Sequence, residues 1–174
     1  ITTLAANYAN AHILLHPVVS MSKPGDLQYY SRVHCYQAII EYYSKGLVEL
    51  SLLPAALRMA GPREALMNAI IRQNYGCSHY IVGTEHAAPP NVRDNTVRFY
   101  PTGASQQYVR EYEDALDIKI VYAKELCFNE KKEKFLPVAA EKPVDCNEIR
   151  YSNAKILEAI SLNHDIPSWV TYPE

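Results

Sequence analysis

Four short apolar runs alternate with stretches of helical pattern, and this alternation constrains the fold more than any other feature. The runs are HILLHPVV (12–19), VELSLLP (48–54), HYIVG (79–83) and IKIVYA (118–123). They are close to continuously apolar, as expected of strands covered on both faces. Between them, Tyr29, Val33, Tyr36, Ile40 and Tyr43 recur at spacings of four and three. That makes one helical stripe, read as core packing rather than as a stacking platform for bases. GPREALMNAIIRQNYG (61–76) carries its own boundaries. Gly61 suits the N-cap region, Pro62 the first turn and Gly76 the stop. SQQYVREYEDALD (105–117) reads as a further helix. Strand and helix in alternation, with short connections, predict an α/β fold: a doubly wound parallel sheet with helices on both faces. At the ends of the chain, Thr3–Ala9 reads as a helix end and LCFNEKKEKFLPV (126–138) as a hairpin around a solvated charged turn. SNAKILEAISL (152–162) reads as a last helix capped by Ser152, followed by an extended tail.

Size and charge narrow the function. With 174 residues, 48% of them hydrophobic, the chain can bury a core as one globular domain. Its net charge of -2 lacks the basic excess of a general nucleic-acid binder. No apolar run approaches the ~20 residues of a membrane span. Cys35, Cys77, Cys127 and Cys146 form no C-x-x-C pair, which speaks against a zinc site. They fit reduced thiols and a cytoplasmic setting, although their number would also allow disulfides.

In a doubly wound sheet, ligands bind beyond the carboxyl ends of the strands. The candidate segments are therefore SMSKPGD, PAALRMAGPRE and TEHAAPP. Arg58 and Arg63 flank a helix N-terminus, where free N–H groups favour anions. With Lys23 they can be read as an anion site, or Arg63 can be read as a surface partner of Glu64 or Asp26. His86 ends the third strand beside Glu85 and has two readings, a histidine satisfied by hydrogen bonds or a working group. His16 holds a comparable place on the first strand. No Gly-x-Gly-x-x-Gly, P-loop or Ser-His-Asp arrangement is present, so the residues alone lead to an anion or nucleotide site on an α/β sheet.

Several segments carry a family resemblance. LLHPVVSMSKPGD, YYSRVHCYQAII, LSLLPAALRMAGPREALMNAIIRQNYGCSHYIVG and IPSWVTYPE resemble the catalytic domain of ATP sulfurylases (sulfate adenylyltransferases) over nearly the whole chain. RMAGPREA followed by IIRQNYGCSHYIVG is the most specific part. The resemblance implies a Rossmann-like fold of the His-x-x-His nucleotidyltransferase group, with a small C-terminal hairpin and helix. It also implies that sulfate joins MgATP to give adenosine phosphosulfate and pyrophosphate, with no tightly bound cofactor. By the same resemblance, residues 1–174 are a fragment whose first strand, with its Gln-x-Arg-Asn and His-x-x-His segment, falls before Ile1. No catalytic residue is therefore assigned within the chain.

The family's second motif, Gly-Arg-Asp-His-Ala-Gly, here reads Gly83-Thr84-Glu85-His86-Ala87-Ala88. The resemblance makes Gly83, Thr84, Glu85, His86 and Cys127 nucleotide-facing and Ala87 sulfate-facing. Thr84 replaces the sulfate-reaching arginine, Glu85 lengthens the aspartate, and Ala88 replaces a glycine and restricts the backbone. Ser152-Asn153-Ala154 and Met67-Asn68 depart from the family pattern as well. Weak or lost sulfate adenylylation is the resulting expectation. The alternative is a non-catalytic module for oligomerisation or nucleotide binding, fused to an adenylylsulfate kinase; a third is a pocket for another anion. Expected partners are the nucleotide, sulfate and further copies of the chain, with no nucleic acid and no membrane.

Overall fold

A computed structural model describes residues 10–20, 29–56, 58–89, 98–124, 126–129, 133–137, 153–167 and 170. The chain divides into two compact units, Ile1–Ala123 and Lys124–Glu174. The first carries β1 (Ile13–Leu15), α1 (Tyr29–Ile40), β2 (Val48–Leu50), α2 (Pro62–Asn74), β3 (His79–Val82), α3 (Ala104–Glu111), a 3-10 turn (Glu113–Ala115) and β4 (Lys119–Tyr122). The expected helix end at Thr3–Ala9 and most of the loop holding Lys23 and Asp26 lie outside the described residues.

The alternation and the parallel pairing are as expected; a single continuous sheet is not formed among the described residues. β1 pairs with β2, register Ile13 to Val48, and β3 with β4, register His79 to Lys119. Each is a two-stranded parallel sheet. β1 is shorter than its apolar run because Pro17 has no N–H to give to a ladder. Pairing resumes beyond it as a bridge between Val18 and Leu53.

The core of this unit is Ala65, Val82 and Val109, all fully buried, with Leu66, Tyr80, Leu116 and Ile120 packed around them. Ala65 and Ala69 stand one turn apart on the buried face of α2. Without bulk there, α3 can bring Val109 onto β3. α2 starts and stops where its sequence directs. Gly61 takes the left-handed φ of 62°, Pro62 opens the first turn and Gly76 follows with φ 82°. Gly61 is also a packing requirement, since a Cβ on it would collide with the ring of Tyr100.

α1 departs from expectation. None of its residues is buried, and Tyr29 is 46% exposed. Val33, Tyr36, Ile40 and Tyr43 of the stripe are half-buried, and Tyr29 at its start is exposed.

In the second unit, β5 (Leu126–Asn129) and β6 (Lys134–Pro137) form the expected antiparallel hairpin. Phe128 faces Phe135 across it, ring centroids 5.2 Å apart. α4 spans Asn153–Ser161. Its expected cap, Ser152, lies outside the described residues.

Candidate functional site

β3 ends at Val82, and the chain turns through Gly83-Thr84-Glu85-His86-Ala87 at the place where a parallel pair presents its carboxyl end. This loop is tied down residue by residue. Gly103 N–H donates to the Thr84 carbonyl (3.1 Å), His86 N–H to Gly83 (3.3 Å) and Gly61 N–H to Ala87 (2.8 Å). Ser105 Oγ, buried at the start of α3, donates to the His86 carbonyl at 2.7 Å. The Gln106 amide clamps the strand ends beneath, donating to the carbonyls of Val82 (2.9 Å) and Ala123 (2.8 Å). The starts of α2 and α3 thus hold the loop from two sides, which pre-orders any group it presents.

His86 points back along its own strand. Its Nε2 lies 2.8 Å from the Tyr80 hydroxyl. Burial pushes that hydroxyl up to about 12, with Arg72 pulling it down and Glu64 pushing it up. Tyr80 is therefore protonated at neutral pH and donates. Burial, then the nearby Arg72 charge, lowers the His86 imidazole, against a smaller opposing effect of Glu64. A neutral His86 that accepts at Nε2 carries its proton on Nδ1. The side chain offers a fixed neutral N–H donor and not a positive charge. The hydrogen-bonded reading of His86 is met at Nε2, while Nδ1 has no partner among the described residues.

Gly83 has ordinary φ, and a Cβ built on it would meet nothing within 4 Å. Among the described residues, no packing contact requires a glycine there. The left-handed residue of the loop is Ala87, φ 54°, and not Ala88. The backbone restriction expected at Ala88 thus falls one residue earlier. Glu85 is exposed and accepts from Arg98 Nη1 at 2.6 Å, and Arg98 also donates to Thr102 Oγ1.

At the start of α2, a carboxylate lies beside the residues expected to bind an anion. The Glu64 carboxylate is buried and accepts the N–H groups of Arg58 (3.2 Å) and Ala60 (2.6 Å). It places negative charge at the helix N-terminus, where the dipole favours it. Glu64 binds the loop and not the Arg63 guanidinium; Asp26, the other expected partner of Arg63, lies outside the described residues. Arg58 and Arg63 are both exposed. Cys127 belongs to the second unit, its backbone paired with Leu136, and its side chain lies outside the described residues. Cys35 and Cys77 are free thiols.

Tyr80, Ser105, Gln106, Arg98 and Arg72 escaped the sequence reading. The only sequence signal for Ser105 and Gln106 was their place at a helix start after Gly103. Among the described residues no three His, Cys, Asp or Glu side chains stand close enough to hold a metal ion. No helix among them is long and apolar enough to cross a membrane.

The chain is 39% identical to the sulfate adenylyltransferase of Saccharomyces cerevisiae over 174 residues, all of this chain and 34% of that protein. It is 40% identical to that of Schizosaccharomyces pombe, again over the whole chain and 35% of the relative. The chain therefore spans about a third of the length of the curated relatives it matches. A solved structure described as a hexameric APS kinase from Thiobacillus denitrificans shares the fold. Its TM-score is 0.73 at 24% identity, covering 99% of this chain and 31% of that one. The ATP-sulfurylase family model matches residues 1–174, and the chain belongs to the ATP-sulfurylase family.

Proposed function

We propose that the loop after β3 is the nucleotide- and anion-facing motif of a sulfate adenylyltransferase domain in which sulfate transfer is weak or lost. In the reaction, a sulfate oxygen attacks the α-phosphorus of MgATP, and pyrophosphate leaves with the electrons of the broken P–O bond. The magnesium would arrive on the triphosphate. The chain's own residues would position and screen charge. Gly83 leaves room for a phosphate, His86 Nδ1–H donates to it, and the tethered backbone at Ala87 borders the sulfate. Residues 1–174 would be a fragment of that domain, with the Gln-x-Arg-Asn and His-x-x-His segment preceding Ile1.

The observation that carries the reading of weak catalysis is the state of position 84 and its surroundings. Thr84 is short and uncharged. The guanidinium beside the loop, Arg98, already has the Glu85 carboxylate at 2.6 Å, which neutralises it. A bidentate arginine contributes roughly 1.5–3 kcal/mol per charge-assisted bond to a bound anion. Losing two such bonds costs sulfate at least about a hundredfold in affinity. The test is sulfate-dependent pyrophosphate release by the complete protein. Turnover at ordinary enzyme rates, about 10 per second, refutes the reading.

A second reading is a non-catalytic module for oligomerisation or nucleotide binding, fused to an adenylylsulfate kinase. It is supported by the structural neighbour, described as a hexameric APS kinase, of which this fold covers 31%. Sedimentation of the complete protein with and without ATP tests it. A monomer that does not bind ATP excludes it.

A further inference from the structure

Gln106 is held in one orientation by the strand ends it clamps. Its Nε2 donates to the Val82 carbonyl at 2.9 Å and to the Ala123 carbonyl at 2.8 Å. Both partners are acceptors, so the amide nitrogen must face them, and which end of the amide is oxygen is settled. Both protons of Nε2 are thereby used. The Val82 carbonyl also accepts the Ala123 N–H at 3.0 Å, which fixes the anchor itself. Oε1 keeps its two lone pairs, with no donor for them among the described residues.

Two observations put that oxygen at the candidate site and not in the core. Among the described residues, the buried side-chain nitrogens and oxygens without a partner belong to His16 and Arg32, so Gln106 Oε1 is open to solvent. It is also close to the loop. Covalent geometry and the 2.9 Å bond to the Val82 carbonyl keep Oε1 within about 8 Å of the Gly83 Cα, beside the open space there. The first turn of α3 is fixed against the same loop, because Gly103 N–H and Ser105 Oγ hold the Thr84 and His86 carbonyls at 3.1 and 2.7 Å. The loop is thus flanked by a complementary pair. His86 Nδ1–H is a fixed donor at its end, and Gln106 Oε1 is a fixed acceptor at its start.

Gln106 Oε1 can take only a hydrogen-bond donor. Phosphate oxygens at neutral pH are acceptors. On a nucleotide seated with a phosphate at Gly83, the nearest donors are the ribose hydroxyls, since the sugar precedes the base along the molecule. We propose that Gln106 is a specificity-determining residue that accepts a ribose hydroxyl of the nucleotide. The assignment rests on the nucleotide reading of the loop and names the group that selects the sugar there. The oxygen is already oriented, so binding orders no further side chain. A sugar without hydroxyls leaves the acceptor unpaired and is rejected.

The test is calorimetric titration of the complete protein with three magnesium nucleotides. They are ATP, 2′,3′-dideoxy-ATP and the triphosphate of purine riboside, which lacks the 6-amino group. The dideoxy analogue should bind about fivefold more weakly than ATP, and the purine riboside analogue within about twofold of ATP. In Gln106→Met, ATP and the dideoxy analogue should bind alike. A glutamine that served only as a clamp would weaken both to the same degree and leave their ratio intact, which overturns the proposal. Gln106→Met also loses the clamp, so the unaltered protein is read as well, with isotope-labelled glutamine. The Gln106 side-chain carbonyl carbon should move downfield with ATP and stay in place with the dideoxy analogue; equal shifts with both, or none with either, overturn the proposal. A loss confined to the purine riboside analogue moves the acceptor to the base and overturns the ribose assignment. Absence of ATP binding sinks the nucleotide reading together with this one, whereas ATP binding without sugar discrimination sinks the role of Gln106 alone.

Discussion

Gly83→Ala separates a glycine kept for folding from one kept for a ligand. Its φ is ordinary, and a Cβ there would meet no atom within 4 Å. The substitution therefore costs the folded state nothing sterically and removes freedom from the unfolded chain. Stability should rise by about 0.4–1 kcal/mol, read from the urea midpoint. The open space beside Gly83 is where the proposal seats a phosphate. A methyl there overpacks the complex by about 1–3 kcal/mol, weakening ATP roughly 5- to 150-fold by calorimetric titration. The expected signature is a more stable protein that binds nucleotide less well. Unchanged ATP affinity would show that the space is not the ligand's. A loss of stability beyond 1 kcal/mol would show that the glycine is structural after all.

Gly61→Ala should behave in the opposite way, because φ 62° and the Tyr100 ring both oppose a Cβ. A loss of about 2–4 kcal/mol in chemical denaturation is expected, and a loss under 1 kcal/mol would contradict the packing described. Glu64→Gln removes the charge that holds the N–H groups of Arg58 and Ala60. Stability at pH 7 should fall by about 1–3 kcal/mol, and an unchanged midpoint would refute the tether. The pH dependence follows from His86 and His16, both lowered chiefly by burial and then by Arg72. Unfolded imidazoles take up protons near pH 6.5 while the folded ones stay neutral, so the unfolded state binds more protons. Stability is full above about pH 7 and is lost as pH falls from 6.5 toward the lowered folded values. His86→Gln should flatten that decline, and an unaltered slope would remove His86 from it.

The elements were legible where residues signal themselves. Pro62 and Gly76 bounded α2, and the run at 79–83 placed the candidate loop at a strand's carboxyl end. What was not legible depends on partners distant in sequence. Ser105 is 19 residues from the His86 carbonyl it binds. Tyr80 looked like an ordinary strand residue until His86 folded back onto it. Glu64 seemed a surface partner for Arg63, whereas burial turned its carboxylate to backbone N–H groups that no side-chain pattern records. The largest difference was the division into two strand pairs. Apolar runs report that a strand is covered on its faces; they carry no information on whether its edges are filled. The α1 stripe is the more covered side of its helix, but the pattern did not say that its cover would be partial.

The measurement that bears most directly on position 84 is sulfate-dependent pyrophosphate release by the complete protein, compared with its Thr84→Arg variant at saturating MgATP. Restoring the guanidinium should raise kcat/KM for sulfate at least tenfold from a low starting rate, with ATP affinity little changed. Ordinary turnover in the unaltered protein, or no gain from the arginine, would contradict the claim that Thr84 limits sulfate chemistry at this site.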